Sequence, residues 1–529
     1  MKSLMKKVFA AAAAIATVFG LAATTVATAN AAGGNATLTV STKDAKFAGK
    51  TVNAYKMFSA TVSSDGGAVS YTLTDEWKPF FKNSVGLTGV TDENVNDKAN
   101  DYVSKLKDST LVAFATKASN WAQTKANNIT ADATATVSAD ASNGKYTATF
   151  TGLGYGYYVV AVPGATVADT NSQYAALVRV HSTTVSVDIK GDLPTVDKKV
   201  QVDGTGKDAT DAKIGDTLTF TLTSTIPDMS AYDTYTFNFK DTLSKGLTFG
   251  QVKSVKVENV TLTENTDYTV TTPTASNNNT LTVAMKDFKT KQQANAGKKI
   301  TVTYTATLNK DAVVGGAGNV NSATIQYSNN PSTNGTGESE PSKVRVFTYG
   351  FTVDKYTGDQ YTDAATRLAG AEFTLAHKDG SAISFVQVSA GSATANAVYR
   401  VAKAGETGTT TITTPANGKV VFEGLKNGEY TLTETKAPAG YNKLASAIGV
   451  KVNGMNNGTD TTNATVTITY NNNNGSVYDQ TASNGVIPVQ NKSGAILPGT
   501  GGMGTIAFTV IGVLVIALGV AWTLKRKNA

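Results

Sequence analysis

The chain has 529 residues and no cysteine. That absence excludes disulfide staples, thiol nucleophiles and every zinc site built on thiolates. Histidine is almost absent as well: His181 and His377 are the only two, in unrelated stretches, without paired metal-ligand spacing. Chemistry resting on His or Cys is therefore not expected, and neither a metal nor a cofactor is. Acid pairs such as Asp75-Glu76 sit in polar turns. The acidic stretch 203–211 lacks the alternating ligands and closing Glu of a calcium loop. Excess charge is also scarce. Six of the formal +7 come from Lys2, Lys6, Lys7, Lys525, Arg526 and Lys527, so the chain between them is close to neutral and offers no basic surface to nucleic acid. No short-period repeat is present.

The two extremities that hold this charge are informative. Lys2, Lys6 and Lys7 precede an apolar stretch over 8–23, and Ala29-Asn30-Ala31 supplies small residues for a signal peptidase, so 1–31 reads as a signal peptide. Near the other extremity, Leu497-Pro498-Gly499-Thr500-Gly501 precedes an apolar run over 505–524 and then Lys525-Arg526-Lys527. At ~1.5 Å per residue the run is long enough to cross a bilayer, with its basic flank held inside. Pro498 and Gly499 keep the pentapeptide extended and accessible. Pentapeptide, apolar span and basic tail in this order resemble the LPXTG cell-wall sorting signal of Gram-positive surface proteins. The resemblance implies secretion, cleavage by a sortase between Thr500 and Gly501, and anchoring to peptidoglycan.

Fold reasoning then applies to about 470 residues, enough for roughly three domains with cores of their own. Thr, Val and Tyr alternate in runs separated by Gly and Asn turns: 217–223 with Leu218, Phe220 and Leu222 on one face, then 299–308, 419–425 and 464–470. Period-2 patterning of this kind predicts an all-β chain of tandem immunoglobulin-like sandwiches. One stretch departs from it. Residues 100–127 place Tyr102, Val103, Leu106, Leu111, Val112, Phe114, Ala115 and Trp121 at near-helical spacing, which predicts a helical insertion. Gly191-Asp192-Leu193-Pro194 and the punctuation from Asn329-Asn330-Pro331 to Pro341-Ser342 set boundaries. The expected domains are 32–192, 193–343 and 344–493, followed by the sorting signal over 494–529. The Asn-rich stretch 456–474 reads as a long hairpin excursion.

In the third domain, Tyr430-Thr431-Leu432-Thr433-Glu434-Thr435-Lys436-Ala437-Pro438-Ala439-Gly440-Tyr441 resembles the E-box of CnaB-type domains of Gram-positive pilins and adhesins. Alternation points Tyr430, Leu432 and Glu434 to one face, so Glu434 is carried inward with two residues that favour burial. An ionised carboxylate there costs several kcal/mol unless it has a partner. Two candidates follow: Lys355, on the face of Phe351 and Val353, and Asn491, aligned with Ile487 and Val489. A desolvated Lys amine has a lowered pKa and becomes a neutral nucleophile, and a buried acid can polarise the Asn amide. A carboxamide is a poor electrophile, so reaction depends on contact, where effective molarities reach ~10⁵ to 10⁸ M. The family resemblance implies this outcome, a Lys355–Asn491 amide formed with loss of ammonia, Glu434 catalysing. A buried ion pair with Asn491 as its cap is the alternative.

The second domain carries a looser version. Val196, Lys198 and Val200 alternate inward. Phe239-Lys240-Asp241-Thr242-Leu243 resembles the acid-bearing segment of CnaA-type domains, and Asn321-Ser322-Ala323-Thr324-Ile325 resembles their closing strand. These imply a second bond, Lys198 to Asn321 with Asp241 as the acid and Asn319 as rival acceptor. The first domain has Ala161 where an acid would sit in 154–161. No bond is expected there, which leaves that domain the least constrained.

Between the first two domains, Val185, Val187 and Ile189 alternate inward, which points Lys190 outward. Backbone pilins carry here a motif ending in Tyr-Pro-Lys-Asn, whose lysine joins the next subunit. Lys190 keeps the lysine without the Tyr and Pro, and Lys199 is the competitor. As a whole the chain resembles the major, SpaA-like backbone pilin of a sortase-assembled Gram-positive pilus. That implies a structural subunit of an adhesive fimbria on the cell wall, a sortase substrate rather than an enzyme. Its implied partners are identical subunits, a pilin-specific sortase, a housekeeping sortase and peptidoglycan, with minor or tip pilins and host extracellular ligands beyond them. A monomeric wall-anchored adhesin for a host protein or glycan is the alternative.

Overall fold

The computed structural model describes residues 35–494 apart from 63–68, 128, 141–143, 166–174, 190–192, 330, 332–334, 363–364, 456–464 and 473–476, together with Ile516. The signal peptide, Lys190, the pentapeptide 497–501 and all but one residue of the apolar run 505–524 lie outside the described residues. Among the described residues no helix is long and apolar enough to cross a membrane. Strands dominate, and they fall into two compact units: one up to Asp211 with Asp216–Phe347, the other Ala212–Gly215, Thr348–Met455 and from Thr465 on.

The first unit contains two pairs of sheets. In the N-terminal pair, a four-stranded sheet has Ala36–Thr42 between Lys145–Leu153, antiparallel, and Thr184–Asp188, parallel. Its companion is centred on Thr51–Val62 and Gly156–Ala161, every residue of the latter buried. The helical insertion is present and larger than its sequence pattern predicts. Besides Val95–Ser104 and Asp108–Gln123, a short helix Lys78–Asn83 precedes them. Pro79 falls in its first turn, where a missing N–H costs nothing, so proline was no obstacle to that helix. The expected single segment is broken at 105–107, because Lys107 adopts an extended backbone and starts the last helix. Trp77, Phe80, Phe81, Phe114 and Ala118 bury the insertion against Phe58, Tyr71 and Tyr157 of the sheet.

The second pair of sheets follows the alternation closely. Thr217–Thr225 pairs antiparallel with Lys299–Leu308 over nine registers, Phe220 and Leu222 inward and threonines outward. On its far side lies Asp197–Val202, with Lys198 opposite Leu222. The other sheet has Phe237–Leu243 between Thr280–Met285 and Asn319–Ser328. Ser342–Phe347, which the expected border at 343/344 cuts, is a strand of this same sheet, antiparallel to Asn319–Ser328 and parallel to Ala209–Asp211.

In the second unit, Tyr349–Thr357 pairs antiparallel with Lys419–Leu425 and parallel with Val486–Gln490, so the first and last strands lie side by side. The other sheet is built on Glu372–His377, Gly428–Lys436 and the hairpin Ile448–Met455 with Thr465–Asn471. Of the expected excursion 456–474, Thr465–Asn471 is a strand of this hairpin, and 456–464 and 473–474 lie outside the described residues.

Candidate functional site

Two buried clusters of amine, acid and carboxamide stand out, one in the second sandwich and one in the third. In the second, strand alternation brings Lys198 and Tyr304 inward from one sheet and Asp241 and Asn321 inward from the other. All four are fully buried. The Lys198 amine lies 5.1 Å from the ring centroids of both Phe220 and Tyr304, which stack on each other. Lys198 Nζ donates to Asp241 Oδ2 and, at 2.9 Å, to Tyr304 Oη, while Tyr304 Oη lies 2.6 Å from Asp241 Oδ2. The Asn321 amide is satisfied when its nitrogen donates to Asp241 Oδ1 (2.7 Å) and its oxygen accepts from Lys198 Nζ (3.1 Å) and Tyr304 Oη (2.6 Å). Asp241 thus meets the Lys198 nitrogen on one oxygen and the Asn321 nitrogen on the other. Burial pushes the Lys198 pKa down, against the opposing pull of Asp241, and drives the Tyr304 phenol well above its usual value.

Asn319, the rival acceptor, is also buried but points elsewhere. Its amide accepts from Val313 N and donates to the carbonyls of Val313 and Val346, pinning a turn. Tyr304 was not foreseen. In the sequence it is one apolar position in the run Ile300, Val302, Tyr304, Ala306, Leu308, indistinguishable from core until the facing sheet is known.

In the third sandwich, Lys355, Glu434 and Asn491 meet with at most 2 % exposure each. Lys355 Nζ lies 3.0 Å from Glu434 Oε1 and 5.6 Å from the Phe373 ring centroid. Asn491 Nδ2 donates to Glu434 Oε2 at 3.0 Å and to the Asn442 carbonyl at 2.9 Å. The Leu444 amide donates to the same Glu434 oxygen at 2.7 Å. Here the E-box pattern acquires a local reason. Pro438 to Tyr441 forms a turn with Gly440 at φ +85, a conformation suited to glycine, and that turn carries Asn442 and Leu444 over the site. Asn491 is positioned by its own amide, which donates to Tyr356 O and extends the parallel pairing of first and last strands. Burial lowers the Lys355 pKa to about 8, with Glu434 opposing.

Among the described residues of the first sandwich no Lys, Asp, Glu or Asn is buried, and Ala161 stands in an apolar strand. Lys199 turns away from the Lys198 side. It pairs with Asp208 and with Asp197 (3.2 Å), and the Asp208 contact above all holds its pKa up. Lys190, Leu497, Pro498, Gly499, Thr500 and Gly501 lie outside the described residues. No group of three or more His, Asp or Glu among the described residues is placed to hold a metal.

Comparison with known proteins agrees with this architecture. Residues 214–331 match the Gram-positive pilin backbone subunit 2, Cna-B-like domain, where a CnaA-like type was expected. Residues 359–467 match the SpaA prealbumin-like fold domain. The trypsin-resistant surface T6 protein of Streptococcus pyogenes is 26% identical over 279 residues, 48% of this chain and 44% of the relative, so the chain spans less than half the length of that curated relative. Among solved structures, the T6 backbone pilin of S. pyogenes is 18% identical, with 87% of this chain and 99% of that one covered and a TM-score of 0.46. The full-length major pilin SpaD of Corynebacterium diphtheriae is 19% identical, with 87% and 98% covered and a TM-score of 0.41. The middle domain thus matches the Gram-positive pilin backbone family and the third the SpaA prealbumin-like family.

Proposed function

We propose that this chain is the major structural subunit of a covalently polymerised adhesive pilus, stiffened by two self-formed amide bonds, Lys198–Asn321 and Lys355–Asn491. The observation that supports this reading is the meeting of amine, acid and carboxamide in two buried sites, each joining strands far apart in sequence. A merely structural ion pair needs no carboxamide, yet Asn321 contacts both Lys198 and Asp241, and Asn491 contacts Glu434. Desolvation favours the neutral amine, whose lone pair attacks the Asn Cγ. The amine's proton passes to the carboxylate and from there to the departing nitrogen, which leaves as ammonia while the Cγ–Nζ amide remains. Asp241 serves in the second domain and Glu434 in the third.

Polymerisation uses a different lysine. A pilin-specific sortase cleaves between Thr500 and Gly501 and holds Thr500 as a thioester on its cysteine. The amine of Lys190 on the next subunit then takes the acyl group. Lys199 is the poorer candidate, since its two carboxylate partners favour the charged, non-nucleophilic form. One donor end and one acceptor per subunit give a contact that does not close on itself, hence a filament. A housekeeping sortase joins the filament to peptidoglycan.

Intact mass tests the internal bonds: residues 32–500 should weigh less than their sequence by two ammonia molecules, and no deficit would leave only ion pairs. Immunoblotting of boiled wall extract tests polymerisation. A ladder of high-mass bands that collapses in Lys190→Ala supports the pilus. A single species in the unmutated strain would favour a monomeric adhesin, and collapse in Lys199→Ala alone would reassign the acceptor.

A further inference from the structure

Tyr304 is more than a wall of the second-domain site. Its phenol oxygen lies within hydrogen-bond distance of all three reacting partners: Lys198 Nζ at 2.9 Å, Asp241 Oδ2 at 2.6 Å and the Asn321 amide oxygen at 2.6 Å. We infer that Tyr304 is a catalytic residue of this bond, its hydroxyl donating to the Asn321 carbonyl oxygen and stabilising the negative charge that forms there as Lys198 attacks. The inference rests on the cross-linking reading of the same site.

The hydrogen accounting supports it. A phenol has one proton to give, and here two acceptors lie equally close. Before reaction Asp241 competes for that proton. As Nζ bonds to Cγ, the carbonyl electron pair moves onto oxygen, and Asp241 Oδ2 takes the amine's proton. Asp241 is then a donor toward Tyr304 Oη, and the phenol proton is free to turn to the new oxyanion. When the tetrahedral intermediate collapses, the electron pair returns and the phenol proton stays on Tyr304. Asp241 delivers its proton to the departing nitrogen, which already contacts Oδ1 at 2.7 Å, and ammonia leaves. Burial, which drives the phenol far from ionisation, keeps the donor proton in place throughout.

The third domain provides an internal contrast. There Asn491 Oδ1 has no hydrogen-bond donor among the described residues, because Leu444 N and Asn491 Nδ2 both serve Glu434. The second-domain site alone of the two has an oxyanion donor in place.

The test follows both bonds in the full chain made by cell-free synthesis, quenched at intervals, with the Lys198–Asn321 and Lys355–Asn491 branched peptides quantified by mass spectrometry. Tyr304→Phe keeps the ring and its stacking on Phe220 but lacks the hydroxyl. It should slow the second-domain bond by about 10²- to 10³-fold, the loss typical of one oxyanion donor, and leave the third-domain bond unchanged. Difluorotyrosine at 304, a stronger donor of similar shape, should speed it, an effect that a packing role would not produce. Second-domain bond formation at the unmutated rate in both variants overturns the inference and leaves the cross-linking reading intact. Absence of the branched peptide from the unmutated chain overturns both.

Discussion

Replacing Asn491 by Ala removes the acceptor carboxamide while leaving Lys355 paired with Glu434 in the core. The bond it prevents would close a loop of about 135 residues, and the chain-entropy relation assigns such a loop about 5 kcal/mol at 25 °C. The two hydrogen bonds that Asn491 Nδ2 donates to Glu434 and Asn442 leave with that nitrogen when the bond forms, so they do not add to this loss. A domain of about 145 residues unfolds with an entropy of roughly 0.3 kcal/mol/K, so a loss of about 5 kcal/mol lowers its melting temperature by about 15 °C. Glu434→Ala also blocks the bond and in addition strands a buried lysine, a further cost of about 3–5 kcal/mol. Differential scanning calorimetry, paired with intact mass, should thus show one transition moving in both variants, further in Glu434→Ala. The reasoning is refuted if the unmutated protein shows a deficit of two ammonia molecules and Asn491→Ala of one, yet the variant melts within about 3 °C of the unmutated protein.

Formation of the Lys355–Asn491 bond needs the neutral amine, and a pKa lowered to about 8 makes half of it neutral at that pH. The rate should rise about tenfold per unit at lower pH and level off above about 8, and a profile still climbing steadily to pH 10 would show an amine not desolvated in the reacting state. Elsewhere in the third domain, Asp354 is fully buried and lies 2.7 Å from Arg367, with Tyr361 donating to it at 2.8 Å and the Lys419 amine forming a longer ion pair at 3.6 Å. Arg367→Ala leaves that carboxylate poorly compensated and should cost about 3–5 kcal/mol by urea denaturation, whereas a loss below about 1 kcal/mol would mean that Lys419 and Tyr361 suffice.

Much of this site was legible in the sequence, for a definite reason. In a strand, parity alone decides whether a side chain meets core or solvent, so Lys198 next to Lys199, or Glu434 two residues from Leu432, could be sorted inward without any structure. Parity says nothing about which inward residues from different sheets meet. Tyr304 was invisible as a participant because its hydroxyl acquires meaning only once Asp241 and Asn321 arrive from the facing sheet. The choice between Asn319 and Asn321 was open for a related reason. Both share a parity and a strand, and only the turn that Asn319 pins to Val313 separates them. The helix Lys78–Asn83 escaped notice because six residues are too few for a helical period to register.

The side-by-side seating of Tyr349–Thr357 and Val486–Gln490 has a consequence for survival among proteases. If Lys355 is joined to Asn491 as proposed, a peptide bond hydrolysed anywhere among the loops between them opens a ring rather than dividing a string, and both new ends stay tethered. The same holds between Lys198 and Asn321. A filament joined from Lys190 to Thr500 would be severed only in the short passages outside each ring, because the N-terminal sandwich precedes Lys190 and lies off the covalent path, so damage scattered over most of its exposed loops would leave the shaft in one piece.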